Sequence, residues 1–359
     1  MTRRSVLPFG PQHPVLPEPI QLRLELEDEK VVSALPVVGY VHRGLEKLAE
    51  HKDFHQAVFL IERICGICSF IHTTAYCQGV EEIMELTVPP RARYLRVIWS
   101  ELHRIHSHLL WMGLLADSFG FENLFMRIWR CREAVLDLLE ATTGARVLLG
   151  TCCVGGVRKD LNPEQLVLIL TTLENLEKQF DDFIPTIMKD FSVKQRLAGV
   201  GVLSLETARE RGAVGPTVRA SGVGLDLRQT GYAAYGELDF QPVIETAGDC
   251  YARAMVRVRE LYQAAGLVRQ AVKDIPGGPI NVQVKGNPSG ETVMRVEQPR
   301  GEVVYYLKGG GKKYLERMRV RTPTFANIPA LLAMLPGSQL ADVPVITLSI
   351  DPCISCTER

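Results

Sequence analysis

The 359-residue chain carries no excess charge of either sign: 41 lysines and arginines are matched by 41 aspartates and glutamates. So balanced a sequence has neither the basic footprint of a nucleic-acid binder nor the charge surplus of a disordered tail. Long apolar runs are missing too. None approaches the ~18 residues needed to span a bilayer, and the best candidates, such as Ile328–Leu335, are far shorter. The opening Thr2-Arg3-Arg4-Ser5 is not followed by the apolar segment a twin-arginine leader needs; Pro8, Gly10, Pro11 and His13 follow instead. Internal repeats and low-complexity tracts are lacking, and so is histidine beyond His108. What remains is ordinary globular composition, 46% hydrophobic and 23% charged, with no convincing internal boundary. A single unit over residues 1–359 is expected, cytoplasmic and held at a membrane only through partners.

Helical patterning dominates what is present. Leu95, Ile98, Trp99, Leu102, Ile105 and Leu109 recur at helical spacing, which predicts a helix over Arg91–Asp117 after the Pro89-Pro90 break. Further helices are expected over Glu122–Thr142, stopped by Gly144, from Pro163 through Phe180, and over Gly248–Val272. Strict alternation in Ile20–Glu27 predicts a half-buried strand, with Val31–Leu35 returning after Asp28-Glu29. Val303–Leu307 and Val345–Ile350 are β-prone and predict two short strands. The stretches 212–224, 276–288 and 309–311 read as loops or turns from their glycines and prolines. The fold class expected is mainly α: a long-helix bundle core with a small N-terminal β element within residues 1–36 and short β segments near the C-terminus.

Cysteine is where the chemistry concentrates. Of nine cysteines, four form two C-x-x-C pairs, Cys65/Cys68 and Cys353/Cys356, near opposite ends of the chain. Cys77, Cys131, Cys152, Cys153 and Cys250 show no ligand-like spacing and read as buried, inert thiols. A two-residue spacer turns two thiolates toward one ion, and two such pairs make a four-sulfur site for zinc, an iron–sulfur cluster or a soft transition metal. Zinc ribbons usually separate their pairs by a few tens of residues, unlike the gap from Cys68 to Cys353. His103, His106 and His108 are also clustered, but spacings of two and three do not share one helical face. They read as helix surface or partner contacts, and Asp117 as an acidic neighbour of the metal.

Arg63-Ile64-Cys65-Gly66-Ile67-Cys68 and Asp351-Pro352-Cys353-Ile354-Ser355-Cys356 resemble the two motifs that bracket nickel–iron hydrogenase large subunits. Gly10–Pro14, Gly39–Lys47, Glu101–Trp111, Val154–Val157, Gly215–Arg228, Gly248–Glu260 and Arg321–Val343 resemble the membrane-bound, energy-converting branch, which is related to the quinone-site subunit of respiratory complex I. Complex I subunits share the frame but lack the four cysteines.

The resemblance implies a nickel–iron centre with carbon monoxide and cyanide on iron. Cys65 and Cys353 would be terminal on nickel, and Cys68 and Cys356 would bridge to iron. It implies reversible heterolytic cleavage of dihydrogen, with Cys353 as first proton acceptor and Glu18 as relay. Arg300 would lie over the open side of the metals, His72 would hydrogen-bond a bridging sulfur, and Ser349 would donate to a cyanide. Glu46 would bind magnesium or iron(II), or, since Arg359 stands where the family has a histidine ligand, pair with Arg359. The implied partners are a small iron–sulfur subunit, ferredoxin-like subunits and membrane ion-pumping subunits. A quinone-type electron-transfer subunit and a zinc scaffold are the competing readings.

Overall fold

The computed structural model describes residues 4–359, so Thr2 and Arg3 of the opening lie outside the described residues. Strands β1 (Arg4–Phe9), β2 (Gln21–Glu27) and β3 (Lys30–Val37) form an antiparallel sheet in that order. Leu22, Leu24 and Leu26 point inward from β2 and are buried, as alternation predicts. The edge strand β1 is an addition; only its last residue, Phe9, is buried, so it carries no inward stripe to read.

The helical body follows: α1 (Leu45–Glu50), α2 (Phe54–Glu62), α3 (Ser69–Ile83), α4 (Pro90–Ser118) and α5 (Glu122–Thr143). Pro90 occupies the first turn of α4, where a missing N–H costs nothing. Gly144, at φ +84°, closes α5 with its N–H on the Glu140 carbonyl at 2.7 Å. A short ladder of β4 (Cys152–Cys153) and β5 (Gly156–Val157) precedes α6 (Pro163–Lys189), which opens on an Asn162/Gln165 capping box. After α7 (Phe191–Leu197), α8 (Leu205–Glu210) and α9 (Pro216–Arg219) comes the long α10 (Cys250–Asp274). Helix α4 packs against both α5 and α10 and is the axis of the core.

The C-terminal part holds a second antiparallel sheet, β6 (Ser289–Gln298), β7 (Gly301–Gly310) and β8 (Leu315–Arg321), against which α3 packs. The chain ends with α11 (Pro323–Met334), α12 (Val343–Ser349) and α13 (Ile354–Thr357). The architecture is thus mainly α, with β elements at both ends. Among the described residues no helix is long and apolar enough to cross a membrane.

Three expectations are corrected. Val345–Ile350 is not a strand: Pro344 sits in the first turn of α12, and Val345 through Ile350 are all buried. A segment buried all round has no two-residue alternation to preserve, so tertiary packing overrides β propensity. His103, His106 and His108 are not surface residues: all three are 0% exposed. Helix α4 is enclosed on several sides, so its polar positions do not mark a solvated face. Asp117 sits exposed near the end of α4, whereas the four paired cysteines are buried.

Candidate metal centre

The first cysteine pair occupies the turn between α2 and α3. Arg63 caps α2, and Cys68 is the N-cap residue of α3. The Cys65 sulfur accepts from the Ile67 N–H at 3.3 Å, which fixes the loop's curl. The second pair occupies the turn from α12 into α13. Here the Cys353 sulfur accepts from the Cys356 N–H at 3.4 Å, and the Thr324 hydroxyl accepts from the Cys353 N–H at 3.0 Å. Asp351 enters this turn at φ +56°, a region aspartate tolerates better than most residues.

The two turns meet. Cys65 and Cys353 sulfurs lie 3.4 Å apart, and those of Cys68 and Cys356 lie 3.5 Å apart. Cys65, Cys68 and Cys356 place their sulfurs within 4.8 Å of one another. All four are at most 4% exposed. Hydrogen bonding from Cys353, then from Cys356 and Cys68, holds the Cys65 thiol well below its usual range. Burial pushes Cys68 and Cys356 up. Four thiols thus crowd one buried spot, where simultaneous ionisation needs a cation between them.

Arg300 and Asp351 border this spot. Arg300 sits at the tight turn between β6 and β7; its Nε donates to the Asp351 carbonyl and its Nη2 meets Asp351 Oδ1, each at 2.9 Å. Burial disfavours the guanidinium charge, but Asp351, Cys353, Cys65 and Cys68 outweigh it and keep Arg300 ionised. Arg300 Nη1 and Asp351 Oδ2 are buried without a hydrogen-bond partner. Unsatisfied charged atoms beside four buried thiols fit a site built for a bound polar group. The donor set and these orphan atoms together fit a soft-metal centre.

His72 lies one turn into α3, its Nε2 3.4 Å from the Cys356 sulfur and its Nδ1 2.5 Å from the Tyr305 hydroxyl. Burial drives His72 down to about 4 and Tyr305 well above its usual value, so the ring is neutral and the phenol protonated. The phenol then donates to Nδ1, which leaves Nε2–H facing sulfur.

Glu18 reaches the second pair from the N-terminal segment. Its carboxylate accepts from the Ile354 N–H, the Ser355 hydroxyl and, at 3.1 Å, the Ser355 N–H. On Cys353, the hydrogen bond with Cys356 lowers the pKa; Cys65, burial and the charge of Glu18 outweigh it and push that thiol up.

Ser349 has other partners than expected, and Glu46 takes the second of its two expected ones. The Ser349 hydroxyl gives its one proton to the Ile346 carbonyl at 2.6 Å and accepts from Arg253 Nε at 2.9 Å. It has no proton left for a cyanide in this arrangement. Glu46 Oε1 accepts from Arg359 Nε and the Val320 N–H, both at 2.9 Å, and Oε2 accepts from Arg319 at 2.8 Å. Burial would raise Glu46, but the Val320 N–H, Arg319 and Arg359 outweigh it and hold the carboxyl low. The ion pair with Arg359 is therefore formed.

Sequence reasoning missed Tyr305 and Arg43. Tyr305 was legible in part, because alternation along Val303–Leu307 puts it on the inward face with Val303 and Leu307. Arg43 ties the two cysteine turns together, donating to the carbonyls of Arg63 and Ile64 at 2.8 Å and of Ser355 at 3.2 Å. No local pattern announces a side chain that bridges distant carbonyls.

Buried paired cysteine turns on this helical frame define an oxidoreductase subunit of hydrogenase type. The chain belongs to the family shared by nickel-dependent hydrogenases, matched over residues 43–116, and the 49 kDa subunit of respiratory-chain NADH dehydrogenase, matched over 118–287 and 282–359. It is 42% identical to the carbon monoxide-induced hydrogenase of Rhodospirillum rubrum, over 98% of this chain and 99% of that one. It is 38% identical to the membrane-bound hydrogenase subunit alpha of Pyrococcus furiosus, over 98% of this chain and 87% of that protein. It is also 36% identical to a subunit of the F(420)H(2) dehydrogenase of Methanosarcina mazei, over 100% of this chain and 98% of that protein.

Proposed function

We propose that the chain is the catalytic subunit of an energy-converting nickel–iron hydrogenase. One observation carries this reading: Cys65 and Cys353, separated by 288 positions, meet in a buried spot with Cys68 and Cys356, beside a charged Arg300 with an unpartnered nitrogen. When bound, a nickel–iron centre with carbon monoxide and cyanide on iron supplies heterolytic dihydrogen cleavage and its reverse. Cys65, Cys68, Cys353 and Cys356 would hold the metals. The chain's own groups manage the proton. Cys353 takes it, and Glu18, in contact with the same turn, passes it outward. Arg300 presents a fixed positive edge to the centre, held there by Asp351. His72, neutral and braced by Tyr305, donates to the Cys356 sulfur and fixes its orientation.

Among the described residues no other cluster of cysteine, histidine and carboxylate side chains could hold a metal. Electrons therefore pass through a partner, a small iron–sulfur subunit, and onward to ferredoxin-like and membrane ion-pumping subunits. On this reading the chain sits peripherally on the cytoplasmic face of the membrane. Glu46 needs no magnesium or iron(II), since Arg359 and Arg319 supply its counter-charge.

The competing reading is a complex I-like electron-transfer subunit, in keeping with the 36% identity to the F(420)H(2) dehydrogenase component. Metal analysis of the purified complex, with infrared bands of iron-bound carbon monoxide and cyanide, separates the two. Nickel is expected, with more iron than the partner's iron–sulfur clusters account for, and hydrogen–deuterium exchange activity that vanishes with Cys65→Ala. A complex that holds no nickel and shows no such infrared bands would sink the hydrogenase reading.

A further inference from the structure

Away from the cysteines, α4, α9, α10, β6 and the segment after α9 enclose a cluster of charges that the metal chemistry above does not use. Its carboxylates are Glu101, Asp226, Glu260 and Glu297; its guanidiniums are Arg104, Arg219 and Arg228; none is more than 2% exposed. By contact, four anions meet three cations.

The cations are unevenly shared. Arg104 stays on Glu101 at 3.1 Å. Arg228 grips Asp226 through two bonds, at 3.0 and 2.8 Å, and reaches Glu101 at 3.2 Å. Arg219 serves the rest: Nη2 meets Glu260 at 2.7 Å, while Nη1 meets Glu297 at 2.7 Å and also Asp226 at 3.2 Å. Asp226 and Glu297 therefore compete for one nitrogen. Asp226 has Arg228 as well, and Glu297 has no second ion pair. An underpaired carboxylate in a sealed interior is costly, and the cheap remedy is a proton.

The other groups around Glu297 leave that remedy open. Arg104 spends Nη2 and Nη1 on the backbone carbonyls of Glu297 and Gln298, at 3.0 and 3.2 Å. The Leu227 N–H donates to Glu297 Oε2 at 3.2 Å, and the Tyr232 hydroxyl accepts from the Glu297 N–H at 3.2 Å. His108 lies on Glu260 at 2.8 Å, but burial depresses its pKa despite that partner. Arg257 feels Glu260 through space, yet it stacks over Trp111 at 4.2 Å and pairs with none of the four carboxylates. Burial would raise Asp226, but Arg228 and Arg219 outweigh it and hold it at about 2; burial and Asp226 push Glu297 up to about 7.

We propose that this cluster is a proton-binding site separate from the metal centre, in which Glu297 carries one exchangeable proton while Asp226 stays ionised. Glu297 lies at the end of β6, three residues before Arg300, so its proton changes the charge carried by the strand that positions that guanidinium.

Infrared difference spectroscopy on the purified complex tests this. A protonated-carboxyl stretch that shifts in deuterium oxide is expected below neutral pH. It should fade with a midpoint near 7 and be missing from Glu297→Gln. Asp226→Asn removes the competitor, so the midpoint should fall by about one unit or more. A wild-type complex with no titrating carboxyl band overturns the proposal. So does a band that persists in Glu297→Gln, or a midpoint unmoved by Asp226→Asn. The wild-type titration can still overturn the proposal where a variant does not fold. It reads no hydrogenase activity, so it succeeds or fails independently of the proposed function.

Discussion

His103 places Nδ1 3.3 Å from the Ile67 carbonyl, inside the first cysteine turn, and leaves Nε2 buried without a partner. Burial lowers its pKa from 6.5 to about 4. In the unfolded chain the ring takes a proton near 6.5; in the folded protein it does not until about 4. Stability is therefore untouched above about pH 6.5 and falls as pH drops from there, by on the order of 3 kcal/mol from this ring alone. Urea unfolding midpoints recorded against pH should show this acid limb, and His103→Gln should make it shallower. An unchanged limb would argue that the ring is hydrated. Glu18 supports a second expectation. Glu18→Gln keeps an oxygen for the Ile354 and Ser355 N–H groups but cannot carry the proton, so nickel and iron content should persist while activity falls about 100-fold. Loss of metal with activity would make Glu18 a structural brace instead. At this scale the sequence was legible wherever chemistry is written in short spacing: the two C-x-x-C pairs, and His72 one turn after Cys68. It was not legible for Arg43 or Tyr305, whose partners lie far along the chain, nor for the enclosure of His103, His106 and His108, which depends on neighbours that pack around α4.

The turn between β6 and β7 and the start of α9 approach so closely that side chains are excluded. A Cβ on Gly215 would lie 2.3 Å from the Gly301 Cα and 2.4 Å from the Arg300 carbonyl oxygen, and Gly215 has φ +66°. Gly215→Ala must therefore both strain the backbone and push away the turn that carries Arg300. A loss of about 3 kcal/mol is expected from strain and overpacking together, read as a lower urea midpoint, with reduced metal content because Arg300 moves. Gly266, inside α10, is the contrast: nothing lies within 4 Å of its Cβ position. Gly266→Ala should stabilise by about 0.5–1 kcal/mol. The long helices were readable because each presents an apolar stripe over many turns, and Pro90, Gly144 and Pro163 marked ends that the structure keeps. Helix α12 was not readable, because complete burial erases the periodicity that tells a helix from a strand. Strands β6 and β8 escaped for a different reason. Arginines and glutamates interrupt their alternation, and pairing with β7 rather than composition makes them strands.

Across the whole molecule, the cysteine turns are where the two ends of the chain close on each other. Their closure does not rest on sulfur alone. Glu358 accepts from the Gly39 N–H at 2.5 Å and the Val41 N–H at 2.6 Å, Arg359 pairs with Glu46, and Arg43 spans both turns. Behind this clasp lies a core that runs from the N-terminal sheet through α4 and α10 to α12. Small zinc domains unfold without their ion because the ion supplies most of their folding energy; here the core and clasp supply it instead. The apo chain should stay folded. Yet binding to the folded state alone adds about 2.7 kcal/mol once free ligand exceeds Kd a hundredfold, so stripping the metals should lower the thermal midpoint by roughly 5 °C or more. The loss must also be shared in space. Residues 63–72 and 349–358 hold the sulfurs from opposite ends, so deuterium uptake should rise in both segments together, while α5 and α6 stay protected. Uptake rising in one segment alone would mean that the four sulfurs do not act on a common centre.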